Sequence, residues 1–197
     1  MKDEYECFAQ LAKNESEDID FRIDLRPGTS DVAIIAPHGG KIEPGTSKIA
    51  AAIADDTHHF YGFLGQKTQR NRTLHITSSR FDEPKCMRLI EECDFVVAVH
   101  GCLGPGQTVF LGGKDSTLRE AIKRELTSAG FKAERHRNPQ LQGVSKDNVC
   151  NRGRSRLGVQ LEIEAGLRDL VVEDGTVMQR LAGAVRAALR DTNRMRS

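Results

Sequence analysis

The chain has 197 residues, 38% hydrophobic and 29% charged, with 29 basic against 28 acidic side chains and a formal net charge of +1. That length suits one globular domain over residues 1–197 with a substantial core, and the composition excludes a disordered chain. The charge balance argues against a nucleic-acid partner, and no apolar run approaches the ~20 residues that cross a membrane.

The first residues, M-K-D-E-Y-E-C, contain no apolar h-region, so the sequence predicts a soluble protein made in the cytoplasm and without a membrane partner. Residues 3–13 predict a short helix. Phe21 to Leu25 alternate at period two, and the P-G-T-S turn at residues 27–30 predicts a hairpin into the next strand. Val32 to Ala36 read as a buried strand ended by Pro37, followed by His38, Gly39, Gly40, Lys41 and Glu43. Gly45, Thr46 and Ser47 turn the chain into a helix to about residue 56. Strands follow at 60–64 and 74–78, then a helix opened by Pro84. Asp94 to Cys102 repeats the grammar of the first core strand: an apolar run, then His100, then Gly101. A strand at 108–111 leads to a helix with Thr117 and Glu120 as a capping box and Gly130 beyond its end. A short strand at 131–135 and a polar stretch at 136–157 precede residues 158–164. There Val159, Leu161 and Ile163 alternate with Gln160, Glu162 and Glu164. A helix at 175–192 closes the chain. The fold expected is a single α/β domain, with a mixed, mostly parallel sheet flanked by helices on both faces.

The chemistry concentrates where two core strands end in His-Gly, the ends at which open α/β sheets keep their ligand crevices. His38, Glu43 and His100 offer two imidazoles and a carboxylate, a donor set for a catalytic Zn2+ with a position left for water. An ordinary surface histidine and loop glutamate meet the same spacing. A carboxylate outside the metal shell is then needed to take the proton of the water, and Glu162 is the choice, with Glu164 on the same strand face as its fallback. Among the other histidines, His75 lies inside a strand and either faces the crevice or, the preferred reading, is a buried, hydrogen-bonded residue, while His58 and His59 sit at a polar-to-aromatic transition and His136 opens a polar loop. Guanidinium forks suit a carboxylate-bearing substrate, and Arg152 and Arg156 precede the Glu162 strand; Lys41 either contacts an anion or faces solvent. Cys102 near His100 allows a cysteine-enzyme alternative. The glycine pairs at 39–40 and 112–113 allow an anion-binding one, although neither matches a phosphate loop. The five cysteines are scattered with no C-x-x-C pair, which fits free thiols.

The stretch A-P-H-G-G-K-I-E-P-G-T-S (36–47), together with L-H-I-T-S (74–78), F-D-E-P (81–84), V-H-G (99–101), N-R-G (151–153) and G-V-Q-L-E-I (158–163), resembles the phage-type poly-γ-glutamate hydrolases. The resemblance extends in order over most of the chain. It implies a zinc-carboxypeptidase-like core and hydrolysis of γ-glutamyl amide bonds of poly-γ-glutamate. It also implies His38, Glu43 and His100 as zinc ligands and Glu162 as the catalytic carboxylate. A small acyl-glutamate or acyl-aspartate is the alternative substrate on the same scaffold. For a phage enzyme without a signal, release on lysis would bring it to an extracellular polymer.

Overall fold

The computed structural model describes residues 3–196, with side chains as far as Asp191; residues 1–2 and 197 of the expected domain span lie outside the described residues. Seven strands form one sheet: β1 (Phe21–Arg26), β2 (Val32–Gly40), β3 (His59–Gly65), β4 (Phe95–Cys102), β5 (Thr108–Gly112), β6 (Lys132–Arg135) and β7 (Gly158–Glu164). Their order is β1-β3-β2-β4-β7-β5-β6. The pairs β2–β3, β2–β4, β4–β7 and β5–β6 are parallel, while β1–β3 and β5–β7 are antiparallel, so the sheet is mixed and mostly parallel.

Alternation along the central strands feeds two cores. Ile34, Val97, Val99, Val159 and Leu161 face α2 (Thr46–Ala54), α4 (Ser116–Ser128), α5 (Ala165–Glu173) and α6 (Gly175–Arg196). Ile35, Tyr61, Phe63, Val96 and Ala98 face α1 (Phe8–Leu11) and α3 (Pro84–Glu91). Each such aliphatic side chain withdrawn from water contributes about 1.5–3 kcal/mol before the entropy of ordering it is counted. Local chemistry sets the helix ends. Glu83 accepts from the Lys85 and Cys86 amides ahead of Pro84, and Asp115 accepts from the Leu118 amide at 3.0 Å.

Several local expectations are corrected. β1 pairs with β3, not with β2, so the P-G-T-S turn is no hairpin; the Thr29 and Ser30 amides instead bond the Thr57 carbonyl. The 3–13 helix contracts to Phe8–Leu11. Residues 74–78 are not a strand; a 3-10 turn at Asn71–Leu74 leads into extended chain. Asp115, not Thr117, caps α4. Helix α5 follows β7 without a loop and was not expected.

Candidate metal centre and its cleft

Strict alternation from Ile34 and Ala36 would send His38 to the α2 face. Between Ala36 and Gly39, however, β2 takes three steps while β3 takes two, from Gly62 to Leu64. Pro37, which has no N–H for the ladder, lies within this bulge, and His38 comes out on the opposite face. It stacks on His75 at 4.0 Å between ring centroids and meets Phe81 edge-on. The chain then doubles back: the Glu43 amide donates to the His38 carbonyl at 2.9 Å and the Lys41 amide to that of Gly65 at 2.8 Å. Gly40 makes this turn at φ +63°, where a side chain would also run into the Gly65 carbonyl.

The result is a buried cluster. His38 Nδ1 lies 3.4 Å from Glu43 Oε1. His100 Nδ1, at the end of β4, lies 3.2 Å from His38 Nδ1 and 3.8 Å from Glu43 Oε2. His75 Nε2 lies 4.0 Å from Glu43 Oε1, and His38, Glu43 and His75 present donor atoms all within 4.8 Å of one another. Two triplets thus share His38 and Glu43, one completed by His100 and the other by His75. The sequence left His75 open between a crevice-facing residue and a buried, hydrogen-bonded one, with preference for the latter. It does make such a bond, from Nδ1 to Asp3 Oδ1 at 2.8 Å, but its other nitrogen faces the cluster.

Hydrogen bonds fix the tautomers. A carbonyl only accepts, so His38 Nε2, 2.8 Å from the Ile76 carbonyl, carries a proton, and Nδ1 is the ring nitrogen that faces the cluster and would offer a lone pair to a metal. The Asp3 carboxylate likewise leaves the lone pair of His75 on Nε2. Burial and the neighbouring His38 hold His75 down at about 4 and His100 at about 3, so both rings are neutral at neutral pH. Burial alone would raise the Glu43 carboxyl; His38, His100 and the Gly101 N–H, 2.8 Å from Oε2, outweigh it and bring it to about 2. Converging imidazole lone pairs beside a carboxylate are the chemistry of a zinc site. The edge of a tetrahedron of Zn–N and Zn–O bonds, about 3.3 Å, matches the closer spacings here.

Glu162 stands next to this cluster, because β7 pairs with β4 so that His100 and Glu162 are register partners. Its side chain is buried and accepts from Gln160 Nε2 at 3.0 Å. Burial, and then the charge of Glu43, push its carboxyl up to about 8. Glu164 is engaged elsewhere. It accepts from the Thr108 amide at 2.9 Å and fills the space against Gly104 and Gly106.

All of these groups except Glu164 open into one cleft of about 990 Å3. Arg72, Thr77, Ser78, Arg168 and the segment from His136 to Ser145 contribute to its walls, with Leu103 and Val144 exposed at the rim. The basic residues expected to contact substrate are not among its walls. Arg152 Nη1 donates to the Phe81 carbonyl at 2.9 Å, Arg156 is exposed in the turn that enters β7, and Lys41 Nζ donates to the Lys67 carbonyl at 3.1 Å. The residues preceding a parallel strand lie at its amino end, away from the cleft. The guanidiniums that reach the cleft are those of Arg72 and Arg168. Neither stood out in the sequence, where each is a single arginine without a motif.

Two other chemistries lose support. Burial and nearby Glu162 raise the Cys102 thiol to about 11, so it stays protonated. The Gly113 and Lys114 amides donate to the Gln142 carbonyl and to Asn151 Oδ1, which leaves them no anion to hold.

A mostly parallel α/β sheet with an imidazole–carboxylate cluster at the carboxyl ends of its central strands defines a metallohydrolase-type architecture. Residues 5–188 match the family model of poly-gamma-glutamate hydrolase. The Bacillus subtilis (strain 168) protein YmaC, a UPF0714 protein, is 38% identical over 174 residues, 87% of this chain and 73% of YmaC. YndL of the same strain is 33% identical over 168 residues, 85% of this chain and 66% of YndL. The solved bacteriophage poly-gamma-glutamate hydrolase superposes with a TM-score of 0.93 at 26% identity, over 98% of this chain and 100% of that one. A zinc-free structure of YndL superposes at 0.89 and 28% identity, over 97% and 99%. The chain belongs to the poly-gamma-glutamate hydrolase family. Among the described residues, no helix is long and apolar enough to cross a membrane.

Proposed function

We propose that the protein hydrolyses γ-glutamyl amide bonds of poly-γ-glutamate, with zinc held by His38, Glu43 and His100. The observation that carries this reading is the close approach of His38 Nδ1 and His100 Nδ1, 3.2 Å apart and beside the Glu43 carboxylate, with Glu162 in register next to them. Bound there, zinc would polarise the scissile carbonyl and make water acidic enough to attack at neutral pH.

The protein's own groups do the rest. Glu162, in register beside His100, takes the proton of the attacking water and returns it to the leaving nitrogen; the positive charge of bound zinc would favour the ionised carboxylate that this needs. Arg72, half-exposed in the cleft with Nη1 3.5 Å from Glu43 Oε1, takes an α-carboxylate of the polymer in place of the contacts first assigned to Arg152 and Arg156. His75, tethered by Asp3, stacks on His38 and fixes its ring plane. The cleft lies at the upper end of the roughly 300–1,000 Å3 range of ligand pockets, which gives a polymer room for more than one glutamyl unit.

Incubation of the zinc-loaded protein with poly-γ-glutamate, followed by product sizing, tests the reading. Shortened chains are expected. An intact polymer beside cleavage of a small acyl-glutamate would replace the polymer with the small substrate.

A further inference from the structure

Arg168 is a buried cation in the first turn of α5, where the helix dipole disfavours positive charge. Among the described residues no carboxylate lies within 4.0 Å of its guanidinium to compensate it. Its nitrogens donate instead to three backbone carbonyls: Nε to Ile163 at 3.0 Å, Nη2 to Cys102 at 3.2 Å, and Nη1 to Pro44. Pro44, Cys102 and Ile163 are 58 to 119 residues apart in sequence, and each belongs to a different part of the site. Ile163 follows Glu162, Pro44 follows Glu43, and Cys102 lies two residues beyond His100.

Gly101 completes the arrangement. Its amide donates to Glu43 Oε2, while its missing side chain leaves the room that the guanidinium occupies: a Cβ there would stand 2.7 Å from Arg168 Cζ. A planar fork with five donors can hold three acceptors in fixed directions at once, which an ammonium on a flexible stem cannot.

We infer that Arg168 is a positioning residue, a clamp that sets the spacing of Glu43, His100 and Glu162 by fixing the three backbone segments that carry them; this rests on the zinc site proposed above. Carbonyl acceptors suit this task better than a carboxylate would, since they lie on the very segments to be held. The clamp acts on the site through the backbone: its three hydrogen bonds go to main-chain carbonyls and none to the side chain of a proposed ligand or base.

The test measures zinc affinity of the full chain by competition with a chromophoric chelator, well below the melting temperature, together with kcat and KM on poly-γ-glutamate. The proteins are wild type, Arg168→Ala, Arg168→Lys, Gly101→Ala and the Arg168→Ala/Gly101→Ala double variant. Weakening of zinc binding by roughly 10–100-fold is expected for Arg168→Ala, the range typical of lost outer partners of metal ligands, with kcat reduced and KM little changed. Arg168→Lys should also be weakened. Gly101→Ala should be weakened because it displaces the guanidinium, yet add little once Arg168 is gone. A role confined to general stability would lower the melting temperature and leave the zinc constant of the folded protein alone. Wild-type zinc affinity and kcat in folded Arg168→Ala would overturn the inference, as would effects of the two substitutions that simply multiply. Should Arg168→Ala not fold, Arg168→Lys and Gly101→Ala decide, and wild-type zinc affinity in both overturns it. Wild-type protein that binds no zinc defeats the proposed function itself and the clamp with it.

Discussion

His100 on β4 and Glu162 on β7 are register partners at the carboxyl ends of two parallel strands, so their side chains emerge next to each other on one sheet face. This places a candidate ligand and a candidate base on rigid backbone rather than on loops. The two roles should separate on mutation. Glu162→Gln is expected to keep the metal and lower kcat by roughly 10²–10⁴-fold, the usual worth of a positioned general base. Elemental analysis and polymer-cleavage kinetics on the same preparation check it; full activity with metal bound would remove Glu162 from the mechanism.

The same carboxyl predicts a pH dependence of stability in metal-free protein. Its folded pKa, about 8, lies above the ordinary value of 4.5, so the folded state holds the proton over a range in which the unfolded chain has released it. The contribution of Glu162 is therefore most favourable below about 4.5 and is lost as the pH rises toward about 8, with a slope of up to about 1.4 kcal/mol per pH unit. Glu162→Gln removes this slope. Urea unfolding at pH 5 and pH 8, in the presence of chelator, should show the variant gaining on wild type at the higher pH.

Arg72 carries the prediction for substrate. A charge-assisted hydrogen bond to a carboxylate is worth about 1.5–3 kcal/mol. Arg72→Ala should therefore raise KM for poly-γ-glutamate by roughly 10–100-fold with zinc content unchanged, whereas Arg156→Ala, at the far end of β7, should leave KM alone. Steady-state kinetics of the two variants side by side would reveal the reverse order if the sequence-based assignment were right.

Gly40 tests the turn that brings Glu43 back to His38. Gly40→Ala forces a side chain into a φ of +63° and against the Gly65 carbonyl. A destabilisation on the order of 1–3 kcal/mol is expected, read as a lower melting temperature with weaker zinc binding.

Much of this was legible in the chain because it is local. Apolar runs ending at Pro37 and His100 mark the central strands, and alternation from Val159 to Ile163 puts Glu162 on the face opposite Val159, Leu161 and Ile163. What the sequence hid is the part set by non-local pairing. β1 sits on β3 because a strand chooses its neighbour through the sheet, not through the adjacent turn. The bulge that carries His38 to the other face is a mismatch between two strands that neither displays alone. Arg152 and Arg156 looked close to Glu162 in sequence, but the direction of β7 carries them to its opposite end. Arg72 and Arg168 lie on segments whose only link to the site is the fold, and the same fold decides between the two readings that the sequence left for His75.

The most direct test of the central claim is the zinc content of purified protein, prepared without chelator, for wild type, His38→Ala, His100→Ala and His75→Ala. About one zinc per chain is predicted in wild type and in His75→Ala, and its loss in the other two variants. Zinc retained by His100→Ala but lost from His75→Ala would move the site to the other triplet, and a wild type free of metal would contradict the account.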